Sequence, residues 1–287
     1  MERPSSPEPN RRWGFRRPRR LRTIALLPTL ITLGNGVCGV AAIFKTGVGL
    51  ANHVQGHFTA AAWLILIAMV FDALDGFVAR LTRTASNFGA ALDSLCDLIT
   101  FGVAPAFLTF ALTRDNVEAT NHYWVRPVEV VCGLYAICAL IRLARFTVET
   151  TPDENSHREF AGLPSPAAAG VLASAALPAS ALVQWPDLQD AIKLALPGLA
   201  LGTAVLMVSR VKYVHVVNRV LKGRRPFIAL IEIALGISLL VLLREFAFFL
   251  VFFAYASTGP ILSMKKRMFR KAAAVPSPPE ERSDKLS

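Results

Sequence analysis

Apolar residues run through this chain in long unbroken blocks, covering roughly residues 23–44, 58–80, 88–112, 128–147, 165–184, 190–208, 227–243 and 246–263. Each is close to the ~17–25 residues with which an α-helix crosses a bilayer. Strands of a membrane barrel would alternate apolar and polar positions. These blocks do not alternate, so they predict helices. The last two are separated only by Arg244-Glu245, which reads as a tight hairpin or one long interrupted helix. The expected fold is therefore all-α: a polytopic helical membrane protein of about eight transmembrane helices, a six-helix core followed by a C-terminal pair. Residues 23–263 form this transmembrane domain. Residues 1–22, rich in Pro, Ser and Arg, and residues 264–287, basic and then Pro- and Ser-containing, are expected to be disordered arms.

Charge adds an orientation. The chain is 53% hydrophobic yet carries a net charge of +11. A basic surface spread evenly would suggest nucleic acid. Here the basic residues instead flank apolar spans, which points to a lipid bilayer as the partner and to anionic headgroups. With the N-terminus in the cytoplasm, the arm (Arg11 to Arg22), the loops near 80–87, 148–164 and 209–226, and the tail cluster (Lys265 to Lys271) all fall on one side. The opposite loops carry few basic residues: Lys45, Arg114, Arg126 and Arg244. That bias predicts an even number of spans with both termini cytoplasmic, in the inner membrane if the source is bacterial. The basic arm runs into a full-length span without a small-residue cleavage site, so it does not read as a cleavable signal. Cys38, Cys96, Cys132 and Cys138 all lie inside spans with no metal or disulfide spacing, and read as small packing residues.

Against this apolar background one stretch stands out. Asp72, Asp75, Asp93 and Asp97 lie in the second and third spans, with Gly76, Ala79, Arg80 and Gly89 around them. An Asp or Arg at a helix centre costs about 2.5–3.5 kcal/mol on insertion scales, so four carboxylates at helical spacing are not there for stability. At about 100° per residue, Asp72, Asp75, Gly76, Ala79 and Arg80 share one helix face, and Gly89, Asp93 and Asp97 share another. A short connector makes the two helices antiparallel neighbours, so the acids converge at one mouth. Such a cluster calls for cations between the carboxylates. Hard, oxygen-liganded Mg²⁺ or Mn²⁺ fits this set, and the lack of His or Cys argues against zinc. Gly76, Ala79 and Gly89 clear bulk from the acidic face, leaving room for a flat or phosphorylated ligand. Arg80 is placed either to pair a phosphate or simply to mark a helix end.

These residues resemble the signature of the CDP-alcohol phosphatidyltransferase family, D-x2-D-G-x2-A-R-x8-G-x3-D-x3-D, with every fixed position met. The resemblance implies an enzyme, a transferase that displaces CMP from a CDP-lipid with an alcohol, usually as a homodimer. Three further stretches resemble the serine-accepting branch of that family: Asp97 to Ala106, Arg142-Leu-Ala-Arg145-Phe146, and Phe160 to Ala169 with its Gly162-Leu-Pro-Ser165-Pro turn; Leu33-Gly-Asn35 with Cys38-Gly39, and Leu206 to Ser209 with Tyr213, are similar to it more weakly. Two positions depart from it, Thr100 where Ser is usual and Thr29 where Asn often follows the proline. The likeness implies CDP-diacylglycerol and L-serine as substrates. Asp72, Asp75, Asp93 and Asp97 would hold two metals. Asp97 would be the general base. Asp72, Gly76, Ala79, Arg80 and Gly89 would bind the CDP-lipid. Arg142 and Arg145 offer positive charge for the serine carboxylate, and Ser165 is assigned there by the resemblance alone. Three alternatives stay open on the residues: another acceptor such as glycerol phosphate or inositol phosphate, an Asp-rich membrane prenyltransferase, or a cation pathway. Pro105 is expected to kink or end the third span.

Overall fold

A computed structural model describes residues 19–82, 87–120, 123, 125–149, 162–182, 184–211, 213 and 245–273. Its regular elements are all helical: α1 (Arg19–Asn52), α2 (Gln55–Thr82), α3 (Asn87–Asp97), a π-helical turn (Leu98–Val103), α4 (Ala104–Thr120), α5 (Val125–Glu149), α6 (Ser165–Ala181), α7 (Pro186–Val208) and α8 (Glu245–Ala273). Among the described residues, five segments are long and apolar enough to cross a membrane: Leu27–Asn52, Gln55–Ala79, Phe88–Arg114, Val125–Arg145 and Pro186–Val208. Of the other three expected spans, 165–184 corresponds to the 17-residue α6. The block 246–263 corresponds to the shorter apolar stretch Phe246–Ile261 of α8. The block 227–243 lies outside the described residues.

Several helices outrun their apolar blocks. α1 begins at Arg19 and continues past residue 44 to Asn52, and α8 continues past residue 263 to Ala273. Arg, Lys and Met sustain a helix as well as Leu does, so leaving the apolar zone does not end it. In α1 the polar Thr46 causes no break, because its buried hydroxyl donates to the Ala42 carbonyl at 2.9 Å. A tight turn at His53 (φ 54°) then reverses the chain, with the Val54 N–H donating to the Gly49 carbonyl at 3.2 Å.

The packing follows from a lipid surround. Large apolar side chains point outward: Leu30, Val37, Phe44, Val70 and Phe77 are all exposed on the bundle surface. The interior is rich in small residues, including Ala61, Ala62, Ala68, Ala168, Ala169, Ala173 and Ala176, set among large buried side chains such as Phe58, Phe101 and Tyr135. Lipid tails are as apolar as leucine, so helices gain by close backbone approach rather than by hiding greasy surface. α6 is the centre of this arrangement. It packs on α2, α4, α7 and α8 and is buried from Ala167 to Ser180. The four cysteines are free thiols, three of them buried in this packing.

The third span is one crossing made of two pieces. The π turn follows directly after Asp97, and α4 resumes before Pro105. Pro105 brings no N–H to the Phe101 carbonyl four residues back. The buried Tyr135 of α5 donates to that carbonyl at 3.0 Å instead. The expected disturbance at Pro105 is thus a widened, under-wound turn just ahead of it, with the Phe101 carbonyl taken up by a side chain from a neighbouring helix.

Candidate metal and CDP-lipid site

α2 and α3 present their acids to one another. Carboxylate oxygens of Asp72, Asp75 and Asp93 all lie within 4.8 Å of one another. Asp75 is 5% exposed. Its Oδ2 and the Oδ1 of Asp93 are buried with no hydrogen-bond partner. Buried polar atoms are almost always paired, so two orphaned carboxylate oxygens facing other acids mark a place suited to a cation. The charges these acids meet among the described residues are those of one another. An all-oxygen set of this kind suits Mg²⁺ or Mn²⁺. Asp97 does not belong to this tightest group. It lies one turn further along α3, 9% exposed, with its Oδ1 accepting a hydrogen bond from Asn35 Nδ2 at 2.9 Å.

The small residues of the motif divide by what surrounds them. Among the described residues, a methyl group at Gly76 would meet nothing within 4 Å, so close helix packing does not account for this glycine. Ala79 and Gly89 are half-buried on the same sides of α2 and α3. Arg80 lies near the end of α2, and its side chain is outside the described set.

α1 supplies two polar groups that the acidic pattern did not reveal. Thr32 makes a side-chain hydrogen bond to Asp75 and is also within 3.1 Å of the Pro28 carbonyl. With one proton, its hydroxyl donates to one of them at a time. Asn35, one turn on, holds Asp97. The signal available in the sequence was their spacing of three inside an otherwise apolar run, which puts both on one face of α1.

The three residues expected at a serine site sit on α5 and α6. Arg142 is half-buried and near enough to Tyr213, Tyr255 and Arg145 to interact electrostatically. Arg145 is exposed. Ser165, 1% exposed, opens α6, and its Oγ has no hydrogen-bond partner. The preceding turn is fixed to the end of α7. Gly162 adopts φ 92°, and its N–H donates to Val211 at 2.8 Å while the Leu163 N–H donates to Leu206 at 3.0 Å. A side chain at Gly162 would collide with the Met207 carbonyl, so only glycine fits both the angle and the approach. Tyr213 continues this segment and donates to the Ala256 carbonyl of α8 at 3.0 Å. Burial pushes its phenol up to about 12, which keeps it a neutral donor. The Arg142 side and the Ser165 turn therefore converge on residues 206–213.

The chain is similar to known proteins. Residues 25–207 match the family described as CDP-alcohol phosphatidyltransferase. The CDP-diacylglycerol–serine O-phosphatidyltransferase of Helicobacter pylori strain J99 is 35% identical over 189 residues, covering 66% of this chain and 71% of the relative. That of Bacillus subtilis is 31% identical over 193 residues, covering 66% and 90%. The archaetidylserine synthase of Methanothermobacter thermautotrophicus is 32% identical over 201 residues, covering 69% and 73%. With the acid cluster built by the residues of the signature and the match running through most of the bundle, the chain belongs to the CDP-alcohol phosphatidyltransferase family.

Proposed function

We propose that this protein transfers the phosphatidyl group of CDP-diacylglycerol to the hydroxyl of L-serine, releasing CMP and forming phosphatidylserine. The observation that carries the reading is the convergence of Asp72, Asp75 and Asp93, with orphaned buried oxygens, on two neighbouring helices. The names of the relatives support serine as the acceptor.

In the proposed reaction the serine oxygen bonds to the lipid-bearing phosphorus, and the bond from that phosphorus to the CMP oxygen breaks. The serine proton passes to Asp97, whose position beside the acid cluster suits a general base. Asp72, Asp75 and Asp93, with Asp97 at the edge of the group, would hold two Mg²⁺ or Mn²⁺ ions. Bound there, the ions would neutralise the diphosphate and stabilise the departing CMP. The open face at Gly76, with Ala79, Gly89 and Asp72, would receive the cytidine and ribose, and Arg80 would pair with phosphate. Arg142 and Arg145 would bind the serine carboxylate, with Ser165 as a further polar contact.

The same reading extends to the whole chain. Eight crossings, both termini on the cytoplasmic side of the cell membrane, basic arms at residues 1–22 and 264–287, and a homodimer complete the proposal. The deciding assay incubates purified protein with CDP-diacylglycerol, Mn²⁺ and labelled serine, with glycerol phosphate and inositol phosphate in parallel. Labelled phosphatidylserine and equal CMP are expected. CMP release with another alcohol but not with serine would overturn the acceptor, and no CMP release with any of them would overturn the reaction.

A further inference from the structure

Asn35 lies outside the acidic motif, yet it is completely buried (0% exposed) against it. Its Nδ2 donates to Asp97 Oδ1 at 2.9 Å. Its main-chain carbonyl accepts from Thr100 Oγ1 of the π turn at 3.2 Å. Both bonds depend on close approach of α1. A methyl group at Gly36 would stand 2.8 Å from Cys96 Sγ, and one at Gly39 would stand 2.9 Å from the Thr100 Cα. The two glycines thus bring the α1 backbone onto the segment that carries Asp97. Asn35 Oδ1 is left buried without a partner, so the residue bears the cost of an unpaired acceptor to deliver one donor to one carboxylate oxygen. An apolar residue would pack there without that cost.

We infer that Asn35 is a positioning residue for Asp97. By holding Oδ1, it fixes the carboxylate rotamer and leaves Oδ2 to receive the proton of the acceptor alcohol. The role rests on the proposed reaction, in which Asp97 is the base. Asn35 touches neither substrate nor metal in this scheme, so its loss acts on the chemical step and not on binding.

The test is steady-state kinetics of Asn35→Leu, which keeps the size and removes the donor, and of Asn35→Asp, which keeps the shape and replaces the donor with an acceptor. Misplacing a reacting group by about 1 Å costs on the order of 10²-fold. Both variants should therefore lose about 10²-fold in kcat, while KM for CDP-diacylglycerol and for serine stays within about threefold of wild type. A folded variant with unchanged kcat, or a loss carried by KM alone, overturns the inference. If neither variant is recovered folded, Thr100→Val decides. It loosens Asn35 but leaves its amide, so a fall in kcat at constant KM is expected and an unchanged kcat is fatal. Wild-type protein assayed alongside separates the two levels. No wild-type turnover removes the proposed reaction and this role with it, whereas active wild type with equally active variants removes only the role of Asn35.

Discussion

A methyl group on Gly39 would press on Thr100, whereas one on Gly76 meets nothing within 4 Å. The two glycines should therefore respond in opposite ways to the same change. Gly39→Val forces α1 off the π turn, an overpacking that costs about 1–3 kcal/mol, and is expected to lower the melting temperature of the detergent-purified protein. Gly76→Val should melt like wild type while raising KM for CDP-diacylglycerol about tenfold; normal KM would show that the space beside Gly76 is not used by the nucleotide. Asp97→Asn should fold, retain CDP-lipid binding and lose turnover, and product formation near the wild-type rate would remove it as the base. Removing divalent ions with a chelator should stop CMP release and added Mn²⁺ should restore it; in Asp93→Asn, restoration should need a higher Mn²⁺ concentration, read from a titration of rate against metal. The acids were legible in the sequence because charge inside an apolar span is costly enough to demand a reason. Asn35 stood out only through a weak likeness of the first span, and its partner was not legible, because a single amide in a span has many uses. Only the fold of α1 against α3 shows which group it meets.

At the scale of elements, the turn after Asp97 is held from outside its own helix. Tyr135→Phe removes the donor to the Phe101 carbonyl and leaves a buried acceptor unpaired, a loss of about 1–3 kcal/mol. Adding Pro105→Ala returns an N–H to that carbonyl. The double variant is expected to recover at least part of the lost thermal stability in detergent, and a double variant less stable than Tyr135→Phe alone would contradict this account of the turn. Among the described residues, block length and continuity gave five of the eight expected crossings, since a helix through lipid must be long and apolar throughout. They could not give the π turn. Hydropathy along residues 88–112 is the same whether the chain winds at four or five residues per bond, and only Pro105 hinted at a break. Helix ends were the weakest part, as at Asn52, where Thr46 satisfied itself on its own backbone and so carried the helix on.

At the scale of the whole molecule, the distribution of Lys and Arg predicts that both termini share one side of the membrane. Single cysteines added near residue 5 and near residue 280 should react with an impermeant maleimide only after the membrane is opened, when the protein is expressed in intact cells. Opposite labelling at the two ends would mean an odd number of crossings. Among the described residues, α6 is buried along most of its length, packed by α2, α4, α7 and α8. Changes in bilayer thickness act on helices that wet the hydrocarbon, tilting or straining them by fractions of a kcal/mol per Å. α6, buried by its neighbours, offers little surface to that stress. The Gly162–Ser165 corner at its head, tied to the end of α7, is therefore expected to respond less to bilayer thickness than the outer helices do, a difference that thermal melts in vesicles of short- and long-chain lipids would read.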